Sequence, residues 1–204
     1  MEQFTEINNL HFSGIHLDAI IGRVASESHH QRPPQRDNHA YVCIDPLPLH
    51  EVLDPLHEGE YPCIPLRMDF ASHDLYKLVN GVFNNIIFDA GVVNRVNGFF
   101  GAIFEWYRLL SPGGKLYIQG MQNVLDFKAY RRELLEQNRV FVSEREQRIW
   151  EGLKREAFKE LLTEVCFAAG FVDIYEGRMN DGHFPIDTAG QSAFPNSPYF
   201  VFTK

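Results

Sequence analysis

The chain of 204 residues is short of cysteine, of long apolar runs and of positive charge, and each shortage removes a class of protein. Its three cysteines, Cys43, Cys63 and Cys166, lie in apolar runs at spacings that match no zinc pattern, and an odd number cannot close a full disulfide framework. They are read as reduced core residues. No stretch approaches the ~18 apolar residues of a membrane span, and MEQFTEINNL has neither the basic start nor the apolar core of a secretory signal. A cytoplasmic protein without a membrane partner is expected. The formal charge of -8 opposes nucleic acid, and the one dense basic cluster, Lys128, Arg131 and Arg132, is followed by Glu133 and Glu136 as on a solvated helix face. Nucleic acid is therefore not an expected partner. No Gly-x-Ser-x-Gly elbow is present, which leaves nucleophilic hydrolase chemistry without support. His29, His30 and His39 share the polar stretch 27–39, ESHHQRPPQRDNH, with no carboxylate or cysteine at a helpful helical spacing. They are read as solvated loop histidines, and no metal site is expected.

What remains is an ordinary globular composition, 45% hydrophobic and 23% charged, long enough for one domain over 1–204. Short apolar runs alternate with longer amphipathic ones, the mark of α/β architecture. YVCID (41–45), CIPLRMDF (63–70), NIIFDAGVV (85–93) and KLYIQG (115–120) read as strands buried on both faces. FFGAIFEWYRLL (99–110) between the last two reads as a crossover helix of a parallel unit. The Pro112-Gly-Gly-Lys115 that follows has the composition of a phosphate-cradling loop but the wrong order, because such a loop follows a strand and opens a helix. Here a helix precedes it and a strand follows. Pro at the second and Gly at the third position of a type II turn explain it, with Lys115 as an exposed first strand residue.

Beyond that strand, 122–150 is polar and helical and reads as an insertion. Ser143-Glu-Arg-Glu146 spells a capping box ahead of a helical stretch that runs to Ala169, where Gly170 stops it. FVDIYEG (171–177) and YFVFTK (199–204) close the chain as strands, separated by a long loop rich in Gly and Pro.

The ordered set IIFDAGVVNRV, then FFGAIFEWYRLLSPGGKLYI, then AAGF and two final strands resembles the class I S-adenosylmethionine-dependent methyltransferases from about Leu10 to Lys204. That resemblance implies a Rossmann-like, doubly wound, mostly parallel sheet of order 3-2-1-4-5-7-6 with an antiparallel last strand, and S-adenosylmethionine as cofactor. It also implies roles. Asp45 takes the position of the acid that accepts the cofactor's ribose hydroxyls, Asp69 that of the acid near the adenine amino group, and Asp89 that at the mouth of the fourth strand, beside methyl donor and acceptor. An ionised carboxylate only accepts hydrogen bonds, which suits hydroxyl and amine donors. Asn94 is placed beside the acceptor, and His183, with Asp187, in the late loop as a base.

The family's glycine-rich first loop is matched against LHFSGIHLDAIIG (10–22), with Gly14 in the first glycine position. Phe12 then replaces the family's acid, His16 the second glycine and Asp18 the third. Two functions follow from the set. One is methyl transfer to a small-molecule or protein acceptor, a reaction governed by alignment of donor and acceptor. The other is a methyltransferase-like pseudoenzyme without cofactor, a binding or regulatory module whose protein partner meets the 122–150 insertion through Phe141 and Trp150.

Overall fold

The computed structural model describes residues 2–21, 37–45, 63–69, 72–89, 96–119, 159–178, 181 and 198–204. The first helix, α1 (Glu2–Phe12), places Phe4, Ile7 and Leu10 three residues apart, a single apolar stripe that packs onto the sheet. The strands are β1 (His16–Ile21), β2 (His39–Asp45), β3 (Cys63–Arg67), β4 (Phe83–Asp89), β5 (Leu110–Gln119), β6 (Asp173–Arg178) and β7 (Pro198–Thr203). They form one seven-stranded sheet in the order β3-β2-β1-β4-β5-β7-β6. Pairing is parallel from β3 to β5 and antiparallel for β5 with β7 and β7 with β6. This is the order the sequence resemblance implied.

Alternation along the strands sorts residues onto two faces. On one face Leu17, Ala19 and Ile21 of β1 join Val42, Ile44, Ile86, Phe88, Leu116, Ile118, Phe200 and Phe202 in the larger core. Three helices pack into that core: α1, α2 (Val96–Leu109) and α3 (residues 159–169). Trp106 of α2 is fully buried, its ring 4.8 Å from that of Phe88. The opposite face carries a second, more polar cluster of Ile20, Tyr41, Ile87, Tyr117, Tyr199 and Val201.

The Pro112-Gly113 turn sits inside β5. Leu110 already pairs with Phe83, and the register then shifts so that Lys115 pairs with Asn85. Gly113 has φ +76°, and a Cβ on Gly114 would stand 2.7 Å from the Asn84 carbonyl, so two glycines are needed for the bulge to close against β4. Lys204 secures it: its N–H donates to the Gly114 carbonyl at 2.9 Å, and its carbonyl accepts from Gly113 at 3.0 Å. Its Nζ donates to the Tyr107 and Leu110 carbonyls at the end of α2, both at 2.7 Å. Lys115 is exposed, as the turn reading expects.

Two expectations are corrected. Cys43 is disulfide-bonded, whereas Cys166 is unbonded and buried. Disulfides belong mainly to oxidising compartments, so the cysteines do not support the cytoplasmic expectation. His39 is not a loop residue: it opens β2, and its side chain is only 4% exposed. Among the described residues no helix is long and apolar enough to cross a membrane. The 122–150 insertion, with Phe141 and Trp150, lies outside the described residues.

Candidate functional site at the carboxyl ends of the strands

The strand order turns back on itself between β1 and β4, and in open α/β sheets ligands bind in the crevice outside the carboxyl ends at that switch point. Register fixes what stands there. Ile21, the last residue of β1, pairs with Ile44 on one side and Phe88 on the other. Asp45 and Asp89 are each the next residue, so the two acids flank the point where the chain leaves β1. Asp45 pairs in turn with Arg67, and Asp89 with Gln119. Asp69 lies two residues past β3, exposed, its carbonyl accepting the Ser72 N–H at 2.9 Å. The fold thus collects Asp45, Asp69 and Asp89 along one edge of the sheet. Asn94 and His183 lie outside the described residues.

Gly14 is elsewhere. It precedes β1, at the amino end of the sheet, and ends α1. The Gly14 N–H donates to the His11 carbonyl at 3.0 Å and the Ile15 N–H to the Leu10 carbonyl at 3.1 Å, the paired bonds of a Schellman helix stop. Its φ of +81° serves that stop. The alignment that made Gly14 the first cofactor glycine is therefore corrected, and Asp18, which it put in the third glycine position, lies within β1. The residue that follows β1 in sequence is Gly22, outside the described residues.

Sequence reasoning missed two groups at the carboxyl edge. Gln119, 5% exposed, closes β5 in register with Asp89, and a polar residue ending the apolar run KLYI was the available signal. At the far side Asp181 accepts from Tyr199 Oη at 2.9 Å, from Tyr175 Oη at 3.3 Å and from the Arg178 N–H at 3.0 Å. Because Phe200 pairs with Ile118, Tyr199 stands level with Gln119. Burial, and then the Asp181 carboxylate, push the Tyr199 hydroxyl well above the ordinary tyrosine range.

A different polar cluster occupies the amino end. Asp18, 3% exposed, accepts from Asn85 Nδ2 at 2.9 Å on Oδ1. His16 Nε2 lies 3.2 Å from the same oxygen, and His39 Nε2 3.0 Å from Oδ2. Tyr41 stacks on the His39 ring at 4.6 Å.

No protein-family profile matches the chain, and no curated protein does. Solved structures do. The 16S rRNA (adenine(1408)-N(1))-methyltransferase of Catenulisporales acidiphilia matches 98% of this chain over 92% of its own, at TM-score 0.55 and 12% identity. The aminoglycoside resistance methyltransferase NpmB1 matches 98% over 92%, at 0.53 and 13%. The N-methyltransferase NodS of Bradyrhizobium japonicum WM9 matches 100% over 94%, at 0.50 and 15%. With the strand order and the antiparallel closing pair, these likenesses establish that the chain has the fold of the class I S-adenosylmethionine-dependent methyltransferases.

Proposed function

We propose that the chain is a methyltransferase that takes its methyl group from S-adenosylmethionine in the crevice at the carboxyl ends of β1, β2 and β4. The observation that carries this reading is the register of Asp45 and Asp89 on either side of the end of β1. The residues present suit the cofactor's polar groups. Asp45 is assigned to the two ribose hydroxyls and Asp69 to the adenine amino group, both donors that match an acceptor-only carboxylate. Asp89, at the mouth of β4 with Gln119 beside it in register, is assigned to donor and acceptor. Gly22 replaces Gly14 as the glycine that lets the backbone approach the cofactor. When bound, the cofactor supplies an electrophilic methyl group. The chain's own task is to hold an acceptor lone pair in line with it and to exclude water. Asn94 and His183 are assigned to the acceptor, His183 as the base that takes its proton.

The acceptor is a small molecule or a protein group, in keeping with the formal charge of -8. The 122–150 segment is assigned as lid or partner surface of a single domain spanning 1–204. One observation favours a second reading, a cofactor-free pseudoenzyme. Counting from Gly22, the family's second and third glycine positions hold Val24 and Ser26, so only one of three glycines remains.

Calorimetric titration with S-adenosylmethionine and S-adenosylhomocysteine separates the two. The enzyme reading expects micromolar binding, lost in Asp45→Ala, and at ~100-fold the dissociation constant a stabilisation of about 2.7 kcal/mol. Absence of heat and of thermal shift at millimolar ligand selects the pseudoenzyme.

A further inference from the structure

The amino end of the sheet carries a group that the methyl-transfer reading does not use. His16, Asp18 and His39 each present one ligand atom, and the three atoms lie within 4.8 Å of one another. Asp18 sits in the middle of β1, flanked in register by Tyr41 of β2 and Asn85 of β4. A buried carboxylate is costly unless cations or donors surround it, and here three nitrogens meet it: the two imidazole Nε2 atoms and the Asn85 amide. The nitrogen-to-oxygen separations of 3.0 and 3.2 Å are hydrogen-bond lengths, and they are also close to the spacing of neighbouring ligands on one small divalent cation. Ligands at about 2.0–2.2 Å from a zinc ion stand roughly 3.0–3.4 Å apart at octahedral to tetrahedral angles.

We propose that His16, Asp18 and His39 form a binding site for a first-row divalent transition metal, zinc foremost. Two imidazoles and one carboxylate are a donor set of intermediate softness, suited to zinc and its neighbours and poorly suited to calcium or magnesium. The supporting shell is present. Asn85 Nδ2 holds one carboxylate oxygen at 2.9 Å, and Tyr41 stacks on the His39 ring, so that two of the three ligands are oriented by neighbours. His16, with its side chain 43% exposed, leaves the fourth position open to solvent and gives the metal a way in.

The metal's role is structural. Asp18 precedes the end of β1 by three residues, ~10 Å at ~3.3 Å per residue, and His16 and His39 lie further still from the carboxyl edge. The metal would join the first residues of two parallel strands whose connection, 22–38, is long, and it would do so without touching the cofactor crevice. The expectation of no metal site weighed His39 as a loop residue beside His29 and His30; its place at the head of β2, opposite His16, is what brings the ligands together.

The test uses the full chain, stripped with chelator and titrated with zinc alone, then with cobalt(II) for its visible spectrum. The expected result is one equivalent bound, a melting temperature raised by several degrees at saturation, and a cobalt spectrum of low-coordinate nitrogen and oxygen ligation. His16→Ala, at a half-exposed position that should not disturb folding, is expected to weaken binding by about tenfold or more and to abolish the thermal shift. A His29→Ala, His30→Ala double variant should bind as the parent does. Binding that survives His16→Ala unchanged, or is lost in the double variant instead, overturns the assignment. So does absence of stoichiometric binding at millimolar zinc, which leaves the two imidazoles as ion-pair neighbours of Asp18. Neither result bears on S-adenosylmethionine, so the site and the proposed activity fail separately.

Discussion

Gly14 and Gly170 stop their helices by the same pair of bonds, yet their substitution should differ. At Gly170, φ +113°, the N–H donates to Phe167 at 3.0 Å and the next N–H, of Phe171, to Cys166 at 3.1 Å. A Cβ there would meet the Tyr107 ring at 2.7 Å, whereas nothing lies within 4 Å of one at Gly14. Gly14→Ala should therefore cost only the left-handed backbone, about 1–2 kcal/mol, and Gly170→Ala more, both read from urea melts. Gly14→Ala should also leave cofactor affinity unchanged; a selective loss of affinity would restore Gly14 to the crevice. Tyr199 supplies a pH prediction. Its folded pKa is raised above the ordinary tyrosine value of about 10, first by burial and then by the hydrogen bond its hydroxyl donates to the Asp181 carboxylate and by that carboxylate's charge. A raised pKa contributes stability that is whole below the unfolded value and disappears as pH climbs through the folded one. Stability should thus fall from about pH 10 upward, and Tyr199→Phe should flatten that fall in melts at pH 9 and 11.

Among the elements, α2 is held at its end by more than packing. Arg108 donates to the Leu75 and Leu78 carbonyls, both at 2.9 Å, to Asn80 Oδ1 at 2.7 Å and to Glu105, tying the helix to the turn that leads into β4. Arg108→Ala removes those bonds, leaving the Leu75 carbonyl with only the Leu78 N–H, and should cost ~1–3 kcal/mol without a change in the sheet's circular dichroism. The later elements were legible because their signals are local. Apolar runs gave β2 to β5 and β7, and FVDIYEG after the Gly170 stop gave β6, each to within a few residues, and Pro112-Gly113 gave the turn. The first two elements were not. The stripe of α1 is only Phe4, Ile7 and Leu10, and β1 hides its period behind His16 and Asp18, polar residues on the face where Ile20 is apolar. Gly14, the first glycine in that stretch, is a helix stop. The acids of the carboxyl edge were legible because they end apolar runs; the His16, Asp18 and His39 cluster was not, since its partners are 21 and 23 residues apart in sequence and meet only through parallel register.

At the scale of the whole molecule the sheet has two chemically different ends. The carboxyl end gathers Asp45, Asp69, Asp89 and Gln119 around the switch point, and the amino end gathers His16, Asp18, His39 and Asn85. A cofactor at one end and a metal at the other would act on the same first strand from opposite directions. The central claim, that the carboxyl end is a cofactor crevice, is most directly tested by amide chemical-shift mapping of the labelled full chain with S-adenosylhomocysteine. A cofactor in that crevice should shift Ile21, Ile44, Asp45, Phe88 and Asp89 and leave Gly14, Ile15, Asn38 and His39 unmoved. Shifts confined to the amino end, or none at millimolar ligand, would contradict it.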